Sequence, residues 1–211
     1  MVFSNRQKGI SLFLALIALV VLSLGAISLF RSVDTGSLVA GNITFKQSAI
    51  GTSDRTIESA IIWLQASNTG STLFNNNAAQ GYYATSLDAL DPTGKKTTTT
   101  TRALVDWDFD SCANAGVHSA CLTPLASNTV NGYATSYIIS RMCRTEGDPN
   151  LTTNNCAKAI PAGGSQSPKR GELKYGDDTR FASTNGPYYR ILVRAAGPKD
   201  TVSYTEAYVY F

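Results

Sequence analysis

The chain has 211 residues, and its 18 Lys+Arg against 15 Asp+Glu give a formal charge of +3. That balance is too slight for an electrostatic grip on nucleic acid, so no nucleic-acid partner follows from charge. Charged residues make up 16% of the chain, below the roughly 25% of an average soluble protein, yet mean hydropathy is only −0.06, so uncharged Ser, Thr, Asn and Gly fill the difference. One histidine and four cysteines leave little material for a metal or catalytic centre, and the length fits one domain of about 150 residues plus something more.

The first element is apolar. Between Lys8 and Arg31 there is no charge, and from Gly9 to Phe30 only Ser11, Ser23, Gly25 and Ser28 interrupt the run after Gly9. Wound as a helix this stretch covers about 33 Å, enough to cross the hydrocarbon core of a bilayer. Arg6 and Lys8 precede it and no acid occurs before Asp34, which predicts a cytoplasmic amino terminus and an external remainder. A cleaved secretory signal shares the basic start, but its apolar region ends after about 7–15 residues at a small-residue site. Phe30-Arg31-Ser32-Val33 offers no such site. Taken alone, the segment reads as a single-span anchor.

The helical period continues outside. Val39, Ile43, Ile50, Ile57, Ile61 and Leu64 recur at heptad-like spacing, which predicts one helix from about Ile10 to Ala66, roughly 85 Å long, with an amphipathic second half. Gly25, Gly36, Gly41 and Gly51 weaken it by about 1 kcal/mol each relative to Ala, and Asn68-Thr69-Gly70-Ser71 ends it.

Strands and loops follow. Ala103, Val105, Trp107 and Phe109 alternate with Leu104, Asp106, Asp108 and Asp110; a β-rich run covers Tyr133 to Cys143; Tyr189, Ile191, Val193 and Ala195 alternate with Arg190, Leu192 and Arg194. Tyr188–Ala196 and Val202–Phe211, joined by Gly197-Pro198-Lys199-Asp200, predict a closing hairpin. Lys95-Lys96 with Thr97–Thr101, and Pro161–Lys174, read as polar loops. The expectation is an α+β fold, the long helix packed on an antiparallel sheet.

Chemistry-bearing residues are few. Cys112, Cys121, Cys143 and Cys156 all lie on the external side, where an even number reads as disulfides. Of three connectivities the sequence-local pairs Cys112–Cys121 and Cys143–Cys156 are preferred as loop staples. Asp106, Asp108 and Asp110 have the spacing that opens a calcium loop, but Ser111 stands where Gly is needed and Val117 where Glu is needed, so an exposed strand face is the better reading. His118 would have to serve any Ser or Cys nucleophile and reads as a loop histidine. No catalytic residue, metal ligand or cofactor is assigned.

Arg6-Gln7-Lys8-Gly9-Ile10-Ser11-Leu12 resembles the class III signal of type IV pilins and pseudopilins. Together with Val39-Ala40-Gly41-Asn42-Ile43, Ala60-Ile61-Ile62-Trp63-Leu64 and Tyr189 to Pro198, it is similar to the PilX-type minor pilins. The resemblance covers both ends of the chain and implies a pilin-like organisation: a leader at 1–9, a membrane-spanning and filament-core helix at 10–30, an external half of the helix at 31–67 and a β-rich domain at 68–211. It implies cleavage after Gly9 by a prepilin peptidase and N-methylation of Ile10. It implies residence in the inner membrane before assembly and at the pilus or cell surface after it. The partners it implies are other minor pilins and the major pilin, met through the helix, and an adhesin at the tip. The fifth residue after the cut, commonly Glu in pilins, is Leu14. Either the subunit sits where no neighbouring amine needs a carboxylate, as at the filament tip, or Leu simply suits a membrane helix. A K-type pseudopilin of a type II secretion system, which also tends to lack the Glu but carries a helical insertion, is the alternative; a membrane-anchored hydrolase is a third class and lacks a nucleophile motif.

Overall fold

The computed structural model describes residues 10–96, 99–158 and 186–211. The leader expected at 1–9 with Gly9, and the loop expected at Pro161–Lys174, lie outside the described residues. Helix α1 covers Ile10–Ser67 without interruption; the segment contains no proline, and the left-handed Gly70 (φ 60°) follows its end. The chain divides between Gln47 and Ser48 into two units, so α1 contributes to both.

In chain order the strands are β1 Tyr82–Tyr83, β2 Ala103–Val105, β3 Ala120–Leu122, β4 Leu125–Ala126, β5 Ala134–Arg141, β6 Tyr188–Ala196 and β7 Val202–Tyr210. Strands β5, β6 and β7 are antiparallel neighbours, and β4 pairs antiparallel with β5. The sheet is nonetheless mixed, because β1 pairs parallel with β5 and a second, two-stranded sheet is the parallel pair β2 and β3. The hairpin of β6 and β7 forms as the alternation predicts, turning through Gly197 and a short 3-10 turn at Pro198–Asp200.

Both faces of the central strands are covered. On one face Tyr137, Ile139, Tyr189, Ile191 and Val193 pack with Ala60 and Leu64 of α1, and Ile57 and Ile61 lie half-buried against them. On the other, Ile138 and Leu192 meet Tyr83, Leu90, Ala103, Val105, Trp107 and Leu122. This double coverage explains why Leu192 is buried although it shares its strand face with Arg190 and Arg194.

Two further sequence expectations need correction. The heptad-like stripe is only partly the packing face: Leu64 is fully buried, but Val39, Ile43 and Ile50 are exposed. Within the second unit the buried positions of α1 are Ala49, Thr52, Ser53, Thr56, Ala60 and Leu64, mostly small or hydroxylated. Small side chains let helix and sheet approach closely, and each hydroxyl finds a partner. Thr52, Ser53 and Thr56 donate back to carbonyls one turn earlier, and the hydroxyls of Thr56 and Thr135 lie 2.8 Å apart. Second, the strand expected from Ala103 to Asp110 stops at Val105. The Asp106 carboxylate accepts the backbone N–H groups of Asp110 and Ser111 at 2.8 and 2.9 Å, and Phe109, Ser111 and Cys112 adopt positive φ. An Asp that satisfies the backbone locally competes with the ladder and wins.

Gly81 sits in a left-handed turn pressed against backbone. Its φ is +62°, and a Cβ there would lie 2.8 Å from the Tyr137 carbonyl oxygen and 2.9 Å from the Leu125 nitrogen, both backbone atoms. Gly81→Ala is expected to cost about 2–4 kcal/mol, left-handed strain plus displacement of β4 from β5. Gly94→Ala, with similar φ but nothing within 4 Å, should cost about 1 kcal/mol. Urea unfolding of the two variants in detergent makes the comparison, and equal midpoints would remove the steric account.

Candidate functional sites

The first candidate is the amino-terminal part of α1. None of its most apolar stretch is buried in the chain, and the helix is long and apolar enough to cross a membrane. Leu12, Phe13, Leu19, Leu22, Leu29 and Phe30 are each about two-thirds exposed or more. At about 1.5–3 kcal/mol for each large apolar side chain left in water, such a surface requires a bilayer or other chains around it. Ser23 removes its own polarity by donating to the Val20 carbonyl oxygen at 2.8 Å. Leu14 is exposed on the same surface. Gly9 and the side chain of Ile10, where the resemblance expects processing, lie outside the described residues.

The second candidate is the loop region, where two disulfides and two buried arginines are built on one plan. Cys112 is joined to Cys121 and Cys143 to Cys156, the sequence-local pairs. Arg102, only 2% exposed, donates from Nε to the Val117 carbonyl at 3.1 Å and from Nη2 to the Ala115 carbonyl, both inside the Cys112–Cys121 loop. Its Nη1 reaches the Gly94 carbonyl at 2.8 Å and Asp91 Oδ2 at 3.1 Å. Burial by itself would raise the Asp91 carboxyl, but the Lys96 N–H and the Arg102 guanidinium outweigh it and hold the pKa below the ordinary 3.8.

Arg141 is fully buried and donates to the carbonyls of Ala84 (3.0 Å), Leu73 (2.9 Å), Thr145 (3.3 Å) and Gly147 (2.8 Å). The last two lie inside the Cys143–Cys156 loop. Each bridge therefore closes a loop whose carbonyls a buried guanidinium collects, and each arginine uses the fork geometry that lysine lacks. The sequence reading missed both arginines, whose one signal was position: Arg102 stands directly before β2 and Arg141 ends β5. All four cysteines should resist alkylation until reductant is added, and each bridge, closing a loop of about 10–14 residues, should contribute about 3 kcal/mol. Mass analysis after alkylation with and without reductant checks this; one free thiol in the native chain would contradict it.

The acidic run does not converge on a cation. Asp106 caps the turn, Asp108 Oδ1 accepts from Arg194 Nη1 at 2.8 Å, and Asp110 accepts from Asn114 at 3.3 Å. Among the described residues Asp106, Cys112 and Cys121 bring ligand-type atoms together, but both sulfurs are held in the disulfide and offer no thiolate. His118 Nδ1 lies 2.8 Å from the Gly116 carbonyl oxygen, and Ser119 Oγ donates to the carbonyls of Thr101 and Arg102. No hydroxyl–imidazole pair is formed among the described residues.

These features define an α+β protein of pilin-like architecture, one long amino-terminal helix packed on a carboxy-terminal mixed sheet and stapled by two disulfides. No family model matches the chain, and comparison with curated proteins and with solved structures gave no significant match.

Proposed function

We propose that this chain is a minor pilin of a type IV pilus that primes assembly and sits at or near the filament tip. The observation that carries the reading is the single helix from Ile10 to Ser67, apolar and uncovered at its start and packed on a disulfide-bonded sheet at its end. An anchor alone needs only to cross the bilayer. A helix that continues unbroken for dozens of residues, exposing Val33, Leu38, Val39 and Ile43 beyond the first charge, has apolar surface left for neighbouring subunits. The partners proposed for that surface are other minor pilins and the major pilin, with an adhesin at the tip. The absence of a carboxylate at Leu14 supports the tip position. Among the described residues of the β-rich domain the helices are the 3-10 turns Ala78–Gln80 and Pro198–Asp200, which favours a pilus subunit over a K-type pseudopilin with its helical insertion.

The test is processing. Co-expressed with a prepilin peptidase, the mature chain should begin at Ile10 and carry one methyl group, read by intact mass and amino-terminal sequencing. A product that retains Met1, or one cut beyond Phe30, would return the segment to a plain anchor or a secretory signal.

A further inference from the structure

The two margins of the five-stranded sheet are unlike. Along β5 the margin is made of β1 and β4, two residues each, whereas β7 at the other end is a nine-residue edge. Short edge strands, lysines, prolines and bulges are the usual devices that keep an edge from pairing with another chain. Strand β7, Val202-Ser203-Tyr204-Thr205-Glu206-Ala207-Tyr208-Val209-Tyr210, contains no Lys, Pro or Gly and pairs with β6 in unbroken register.

The Gly197 N–H donates to the Thr201 carbonyl at 2.7 Å, and this fixes which backbone groups are used. Odd-numbered residues of β7 point their N–H and C=O at β6, and Val202, Tyr204, Glu206, Tyr208 and Tyr210 point theirs off the sheet. The side chains of the same five residues are the exposed ones. Charges on this face are already matched: Arg190 Nε lies 2.8 Å from Glu206 Oε1, and Arg194 Nη1 lies 2.8 Å from Asp108 Oδ1. Among the described residues, the edge therefore offers an open hydrogen-bonding row beneath a neutral surface of Tyr and paired Arg, the residue types that concentrate in interface cores.

We propose that β7 pairs antiparallel with β7 of a second copy of this chain, about a twofold axis at Ala207. Paired residues must share a face, so the axis has to pass through a residue position. An axis at Glu206 sets two carboxylates directly opposite each other, which is unfavourable. An axis at Tyr208 pairs a shorter stretch of strand, and an axis at Thr205, although it pairs as many residues as one at Ala207, sets Glu206 opposite the partner's Tyr204 and away from its hydrogen-bonding companion Tyr208. An axis at Ala207 places Glu206 opposite the partner's Tyr208, Tyr204 opposite the partner's Tyr210 and Thr205 opposite the partner's Val209, with the smallest side chain where the two copies meet. The Tyr208 hydroxyl is already a partner of the Glu206 carboxylate within one chain, so the same chemistry is repeated across the axis. The strand supplies its own complement, and that is why the occupant is a second copy. The pairing involves only the β-rich domain and is independent of whether α1 enters a filament.

The experiment uses the full-length, disulfide-intact chain in lipid vesicles, with Ala207→Cys, Glu206→Cys and Thr205→Cys compared under mild oxidation. On the axis, opposed Cβ atoms lie about 4.5–5.5 Å apart, within disulfide reach after small adjustment. Ala207→Cys should give a covalent dimer linked at position 207, in roughly tenfold higher yield than Thr205→Cys, with peptide mapping to confirm the site. Adding Tyr208→Lys, a charge on the edge, should cut that yield roughly tenfold while far-ultraviolet circular dichroism stays unchanged. Equal yields at positions 205 and 207, a maximum at 206, indifference to Tyr208→Lys, or an adduct with a different polypeptide would each overturn the pairing. Association through α1 alone predicts the first and third of these results.

Discussion

Arg102→Ala is expected to destabilise the β-rich domain by about 3–5 kcal/mol, because it strands the Asp91 carboxylate, 1% exposed, without its cation. The loss extends beyond one ion pair. The guanidinium also holds the carbonyls of Gly94, Ala115 and Val117, so the loop after Asp91 and the Cys112–Cys121 loop lose their common donor. Arg102→Lys should recover little, since one ammonium cannot reach acceptors arranged around a planar fork. The double variant Asp91→Asn, Arg102→Met should recover more than Arg102→Lys, because it leaves no buried charge. Urea unfolding with both disulfides intact gives the ranking, and a lysine variant close to the parent would show that the fork geometry is dispensable.

The same pair sets a pH dependence whose sign is fixed. Asp91 titrates below the ordinary 3.8 in the folded chain, so the unfolded chain binds the proton first as pH falls. The stabilisation is complete above that ordinary value. It is lost as pH drops from there through the depressed folded value, and it is flat at neutral pH. Asp91→Asn should flatten this acid limb of the unfolding midpoint.

The parts of the fold that depend on repeated local pattern were legible. Alternation from Tyr189 to Ala195 and the Gly197-Pro198 punctuation specify the hairpin of β6 and β7, and an uncharged run between Lys8 and Arg31 specifies an apolar helix. The helix-packing face was misread because periodicity counts large apolar residues. The contact from Ala49 to Ala60 is made by small and hydroxylated side chains whose value lies in close approach. Strands β1 and β4, two residues each, carry no period at all. Asp106 was misassigned to a strand because alternation does not register a carboxylate that bonds its own backbone. Arg102 and Arg141 were invisible as a pair of sites: their acceptors are main-chain carbonyls, up to 68 residues away for Arg141, and carbonyls have no letter in a sequence.

Leu14 leads to the largest expected cellular effect. On the filament reading, a subunit added later neutralises the amino-terminal amine of the one ahead of it with a carboxylate five residues into its own mature helix, since an unpaired charge in an apolar core is expensive. A chain with Leu14 cannot do this, but it still presents its own Ile10 amine to the next subunit. It therefore fits the one position with nothing ahead of it. Its deletion is expected to reduce the number of pili far more than their length, and its copy number should be very few per filament. Leu14→Glu is expected to be tolerated or mildly harmful without turning the chain into a major subunit, because the β-rich domain would still close the leading end of the filament. Immunogold labelling of sheared filaments against that domain decides the matter. Gold confined to ends and initiation points supports the tip position, whereas gold along the shafts at the density of a major subunit would leave Leu14 as an ordinary residue of a membrane helix.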